Sequence, residues 1–125
     1  MGIDYGKKKI GLAISEGEIA SPFKVLNCSS LEDALNKILQ VIKSEEIDRA
    51  IVGMPESGQA RNNTKKFLQV LKSHISVLEV EETLSSINAR KLMVERGSLS
   101  SKRSQEDAIS ASLILQNYLD NEFKK

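Results

Sequence analysis

The sequence predicts an α/β domain: a mixed five-stranded sheet, with three antiparallel strands plus two parallel βα units, covered by helices on both faces. Three observations predict it. Near the start, three short apolar segments follow one another with only brief turns between them, the pattern of an antiparallel meander. After them the apolar residues recur at three- and four-residue spacing, the period of a helix buried on one side. Two further short apolar runs then alternate with such helical stretches, which is the grammar of parallel βα units with both sheet faces covered.

Each element has its own signal. MGIDYG is short and ends in glycine, and KKIGLAIS follows it. Ile10, Leu12 and Ile14 alternate there with Gly11 and Ala13, so one strand face is bulky and the other small. EIASPFKVLN comes next, with Gly17 in the turn between. Ser29-Ser30-Leu31-Glu32 has the form of a capping box and opens a helix whose stripe is Leu31, Ala34, Leu35, Ile38, Leu39 and Ile42. RAIVGM (Arg49–Met54) is a strand ended by Pro55 and the polar loop ESGQARNN. A second helix then carries Phe67, Leu68 and Leu71 on one side, and ISVLEV (Ile75–Val80) is the next strand. Two helices close the chain, about Ser86–Arg96 and Ser104–Asn121, separated by the polar stretch GSLSSKR.

Composition excludes several classes of function. A chain of 125 residues suits one domain spanning 1–125, not two lobes around a cleft. Its 18 basic and 17 acidic residues nearly cancel, which argues against a histone-like binder while allowing local basic patches. Aromatic residues are only 4% with no Trp, too few for a platform that stacks single-stranded bases. One cysteine, Cys28, rules out an internal disulfide or a Cys-based zinc cluster and fits a reducing cytosol. One histidine, His74, argues against a His-rich metal site or a Ser-His triad, and both residues read as structural or surface groups. No apolar run approaches the ~18 residues of a membrane span, and the start lacks a signal-peptide pattern, so a cytoplasmic protein without membrane contact is expected.

Ligand sites in such sheets lie at the carboxyl ends of the parallel strands. That rule directs attention to the ends of MGIDYG, RAIVGM and ISVLEV. Met1, Ile3 and Tyr5 should point one way from the first strand, and Gly2, Asp4 and Gly6 the other. A carboxylate inside an apolar strand is costly unless solvated, paired or bound to a metal, and the flanking glycines leave space beside it. The plainer alternative is an edge aspartate capping the turn at Gly6-Lys7. Glu81 and Glu82 stand directly after ISVLEV, where a solvated acidic pair before a helix is the simpler reading. Asp107 heads a helical face continued by Ala111, Ile114 and Tyr118, so it aims at the sheet, although Ser104-Gln105-Glu106-Asp107 could equally be a cap. Taken together, such carboxylates form a hard-oxygen site for Mg²⁺ or Mn²⁺. Two ions about 4 Å apart would clamp an in-line phosphoryl displacement, with water as the nucleophile.

The same residues resemble a known family. IDYGKKKIGLAI, VGMPESG, EETLSSINA and EDAISASLILQNYL resemble the four signature blocks of the YqgF/RuvX family, in order, from about Gly2 to Leu119. Asp107, Ser110, Ala111 and Ile114-Leu115-Gln116 match the last block. The resemblance implies a ribonuclease H-like fold and activity as a Holliday junction resolvase or pre-16S rRNA nuclease. It also implies that Asp4, Glu82 and Asp107 are the metal-binding catalytic carboxylates, raising Glu82 over Glu81. Thr83 stands where the family block usually has arginine, so any phosphate contact of that arginine is absent or supplied elsewhere, and the loop after Pro55 looks shorter than usual.

Basic residues flank these positions: Lys7, Lys8 and Lys9 after the first strand, Arg61, Lys65 and Lys66 at the second helix, and Lys102-Arg103 before Asp107. They are candidates for holding phosphates, against the alternative of ordinary solvated charge. The expected function is therefore a metal-dependent nuclease acting on structured nucleic acid, precursor rRNA or branched DNA, with 5′-end maturation of pre-16S rRNA ahead of junction resolution. Resolution needs a two-fold dimer, and no large apolar dimer face is evident, so a monomer or weak homodimer is expected. IDYGKKKIGLAI also resembles the first phosphate motif of sugar kinases, actins and chaperone ATPases, but those close two domains around a nucleotide and this length supplies one. A non-catalytic RNA-binding assembly module is the third reading, favoured only by Thr83.

Overall fold

Apolar segments joined by tight turns pair with their neighbours, and the chain does this twice in succession. β1 (Gly2–Tyr5), β2 (Lys9–Glu16) and β3 (Ile19–Asn27) form the antiparallel meander. In the computed structural model, which describes residues 1–6, 8–81 and 106–123, Gly17 turns between β2 and β3 at φ 64°. β4 (Arg49–Met54) joins β1 in parallel and β5 (Ser76–Glu81) joins β4 in parallel, giving the order β3-β2-β1-β4-β5. Both parallel carboxyl ends therefore lie beside the end of β1, at one edge of the sheet. β5 runs one residue further than ISVLEV suggested, so Glu81 belongs to the strand and pairs in register with Met54.

The meander carries one irregularity. Leu12 is registered with Lys24, but Ala13 with Pro22, leaving Phe23 as an extra residue on the outer strand.

α1 (Leu31–Ser44) starts one residue later than the capping box predicted. Ser30 is the N-cap, accepting from the Asp33 backbone N–H at 3.1 Å, while the Asp33 carboxylate accepts from the Ser29 N–H at 2.9 Å. Two adjacent serines offered two registers, and the aspartate chose between them. The helix ends where Glu46 takes φ 54° and the Ile47 N–H donates back to the Ile42 carbonyl. α2 spans Gly58–Leu71, and α3 spans Glu106–Phe123. The helix expected at about Ser86–Arg96 and the stretch GSLSSKR lie outside the described residues.

Alternation along the strands sorts the core into two layers. Ile3, Ile10, Leu12, Val52 and Met54 face α1 and α2 and pack with Ile38, Phe67, Leu68 and Leu71. Tyr5 stacks on Phe67 with ring centroids 4.4 Å apart. On the opposite face Ala13 and Ile51 meet Ala111, Ile114, Leu115 and Leu119 of α3. The stripe read from positions 107, 111, 114 and 118 is indeed the one turned to the sheet.

Candidate active site

The site grows from small residues. A Cβ built on Gly2 would lie 2.5 Å from the Ala111 carbonyl oxygen and 2.8 Å from the Leu115 Cβ. One built on Gly11 would collide with the Asp107 carbonyl. Only glycine lets the backbone of α3 come this close to β1 and β2. Gly11 is the register partner of Asp4. Residues directly opposite in an antiparallel pair direct side chains to the same face, with Cβ positions about 5 Å apart. Asp4 therefore rises from the sheet beside the first turn of α3, next to the residue Asp107. Both aspartates are half-buried. Met1, Ile3 and Tyr5 point away into the other layer, as the alternation required.

At its other end α3 is fastened by Gln116. The side-chain carbonyl accepts from the Ala20 N–H at 2.9 Å, and the amide donates to the Glu18 carbonyl at 2.8 Å. One amide thus makes both bonds of a strand-like pairing with the β2–β3 hairpin, and fixes how far α3 slides along the sheet.

The third expected carboxylate, Glu82, lies outside the described residues, as do Thr83, Lys7, Lys102 and Arg103. Glu81 is described and is otherwise engaged. Arg61 holds it with both guanidinium nitrogens, each at 3.1 Å from a carboxylate oxygen, and also donates to the Pro55 carbonyl at 2.8 Å. The hydrogen bond to Arg61 draws the Glu81 carboxyl below its ordinary value, with the nearby charges of Arg61 and Lys65 adding to the effect. Arg61, expected to hold substrate phosphate, thus ties the ends of β4 and β5 to α2. Lys8, Lys9 and Lys65 are exposed near the same edge.

The donor set fits a hard divalent cation. Asp4 and Asp107 carry carboxylate oxygens, the donor chemistry that suits Mg²⁺ or Mn²⁺. Softer ligands do not compete: burial pushes the Cys28 thiol up, which keeps it protonated, and His74 is exposed at the opposite end of β5. Among the described residues no three His, Cys or acidic side chains converge. A cavity of about 470 Å³ at the far edge of the sheet mixes Glu45, Glu46 and Asp48 with Met1 and Arg49 along its lining.

The family model described as "RuvX: Holliday junction resolvase" matches residues 1–121. The chain belongs to the RuvX family. A RuvX relative from Endomicrobium trichonymphae, named "Putative pre-16S rRNA nuclease", is 36% identical and covers 96% of this chain and 94% of its own. Another of the same name, from Thermoanaerobacter pseudethanolicus, is 33% identical and covers 100% and 98% respectively. Among solved structures, T. thermophilus RuvC in complex with a Holliday junction substrate superposes with a TM-score of 0.67 at 16% identity, over 98% of this chain and 93% of that one. The fowlpox virus Holliday junction resolvase does so with a TM-score of 0.56 at 12% identity, over 96% and 97%. At such identities the likeness speaks for the fold alone, and that fold is ribonuclease H-like, as the sequence blocks implied. RuvX membership removes the two-domain kinase reading. No described helix is long and apolar enough to cross a membrane.

Proposed function

We propose that this chain is a divalent-metal-dependent endonuclease that cuts structured RNA, in the 5′-end maturation of pre-16S rRNA. The observation that supports the proposal is the register of Asp4 with Gly11, which lies against the main chain of Asp107 at the carboxyl edge of the sheet. Asp4 and Asp107, with Glu82 as the third, would hold Mg²⁺ or Mn²⁺. Such an ion, when bound, supplies Lewis-acid stabilisation of the charge that develops on the phosphoryl oxygens. The chain's own residues do the rest. Lys8, Lys9 and Lys65, joined by Lys7, Lys102 and Arg103, would hold phosphates along this edge and so orient the scissile bond. Gly2 and Gly11 keep α3 seated so that Asp107 stays beside Asp4. The rRNA substrate rests on the name its relatives carry.

Junction cleavage is the second reading, favoured by the description of the matching family model as a Holliday junction resolvase. It needs two copies acting on symmetric strands. The deciding experiment is cleavage with Mg²⁺ or Mn²⁺ of a precursor rRNA fragment and of a four-way junction. Wild type is compared with Asp4→Asn, Glu82→Gln and Asp107→Asn. The expected outcome is rRNA cutting by the wild type and a loss of at least a hundredfold in each variant. Equal cutting by all four proteins would sink the carboxylate assignment. Symmetric junction cuts by a stable dimer, with rRNA left intact, would reverse the order of the two readings.

A further inference from the structure

A second concave site opens at the same edge but on the other face of the sheet. It is a cavity of about 280 Å³ lined by Tyr5, Ser29, Ser30, Leu31, Asn63 and Lys66. Tyr5 ends β1 and follows Asp4 directly, so the two side chains leave one strand end in opposite directions. The cavity therefore lies just across the tip of β1 from the carboxylates.

Its lining is led by donors and one cation. The Asn63 side-chain carbonyl already accepts from Gln59 at 2.9 Å, while the amide N–H groups can donate. The Ser30 hydroxyl oxygen accepts from the Asp33 N–H at 3.1 Å, which leaves its hydrogen. The Tyr5 hydroxyl is carried on a ring held in place by its stack on Phe67. Lys66 brings three donors and a charge. The nearby carboxylate, Asp33, is bonded instead to Lys37 at 3.2 Å and to Ser29, and Lys66 has no ion-pair partner among the described residues. The Ser29 hydroxyl donates to Asp33 at 3.3 Å and so presents an oxygen to the cleft. A cation and several donors set against that oxygen suit an acceptor-rich anion. Leu31 adds an apolar wall against which a sugar can lie.

We propose that this cleft binds a backbone phosphate of the substrate strand, one flanking the scissile phosphate, so that the strand straddles the tip of β1. The inference rests on the nuclease reading and adds a subsite to it. The amides at the start of α1 are not what carries it, since the Asp33 N–H is already satisfied. A strand bent over the end of β1 would present the scissile phosphate to Asp4 on one face. Its neighbour would meet Lys66 and Tyr5 on the other.

The test replaces single phosphates of the precursor rRNA fragment by neutral methylphosphonates, one position at a time, on each side of the cut. Cleavage and binding are followed for the wild type, Lys66→Ala and Lys66→Arg, with exposed Lys43→Ala as the control for a lost surface charge. Wild type should lose about tenfold at one flanking position. Lys66→Ala should lose about tenfold on the all-phosphate strand and show no further loss at that position. Its binding should fall less steeply with salt, by about one unit of slope, while Lys66→Arg restores most of the deficit. A Lys66→Ala profile with the wild-type dip intact, or no more affected than Lys43→Ala, would overturn the cleft and leave the nuclease reading standing. Neither binding nor cutting of any strand by the wild type would overturn that reading, and the cleft with it.

Discussion

The two faces of the sheet are built by opposite means. Toward α1 and α2 the strands present Ile3, Ile10, Leu12, Val52 and Met54, and the helices answer with Phe67, Leu68 and Leu71. Large side chains interlock there and hold the backbones apart. Toward α3 the strands present Gly2, Gly11 and Ala13, and the helix answers with Ala111. There main chain rests on main chain. Interlocked side chains can shift rotamers to absorb a change, whereas a helix seated on glycines has no give. The first face supplies most of the buried apolar surface, and the second sets where a carboxylate stands.

That contrast can be broken from either side. The largest stability effect is expected from Leu71→Ala, which empties a fully buried position on the α1/α2 face. It should cost about 3 kcal/mol in urea denaturation yet leave turnover per folded molecule nearly unchanged. Gly11→Ala should do the reverse. Overpacking of this kind costs roughly 2 kcal/mol, but it displaces the first turn of α3, and cleavage should fall by about 100-fold. Equal effects of the two substitutions on turnover would erase the distinction between the faces.

The smallest effect is expected away from both layers, at the Arg61–Glu81 pair. Because the folded Glu81 carboxyl sits below its ordinary value of 4.5, its contribution to stability is present above that value and fades as pH falls through the folded one. Glu81→Gln should be slightly less stable than the wild type at neutral pH, and the two should converge once the pH has fallen below the folded value. A difference that persists in acid would mean that the pair acts by packing and not by charge.

Much of this was legible in the sequence for a definite reason. Periodicity reports which residues share a face, so the opposed directions of Asp4 and Tyr5 and the buried stripe of α3 could be read directly. The small face of β2 was visible too, as Gly11 and Ala13. What periodicity does not report is the partner across the gap, so the tie between Gly11 and Asp107 emerged only in three dimensions. The tie between Arg61 and Glu81 was equally hidden, since basic residues at a helix start give no hint of a carboxylate 20 positions away. The cap of α1 was misplaced by one residue because adjacent serines are equivalent until Asp33 selects one. Of the cleft the sequence offered only Lys66, as one of three basic residues at the second helix, since its walls come from β1, the start of α1 and one flank of α2.

The irregularity in the outer strand has a consequence for how copies of this protein meet. A long edge strand offers free N–H and C=O groups on which another chain can template itself. Here Pro22 removes one donor, the extra residue at Phe23 breaks the spacing of the remainder, and Lys24 follows with a charge. The meander thus ends in a border that resists sheet-to-sheet growth, and crowding of this chain should not propagate into ordered aggregates through β3.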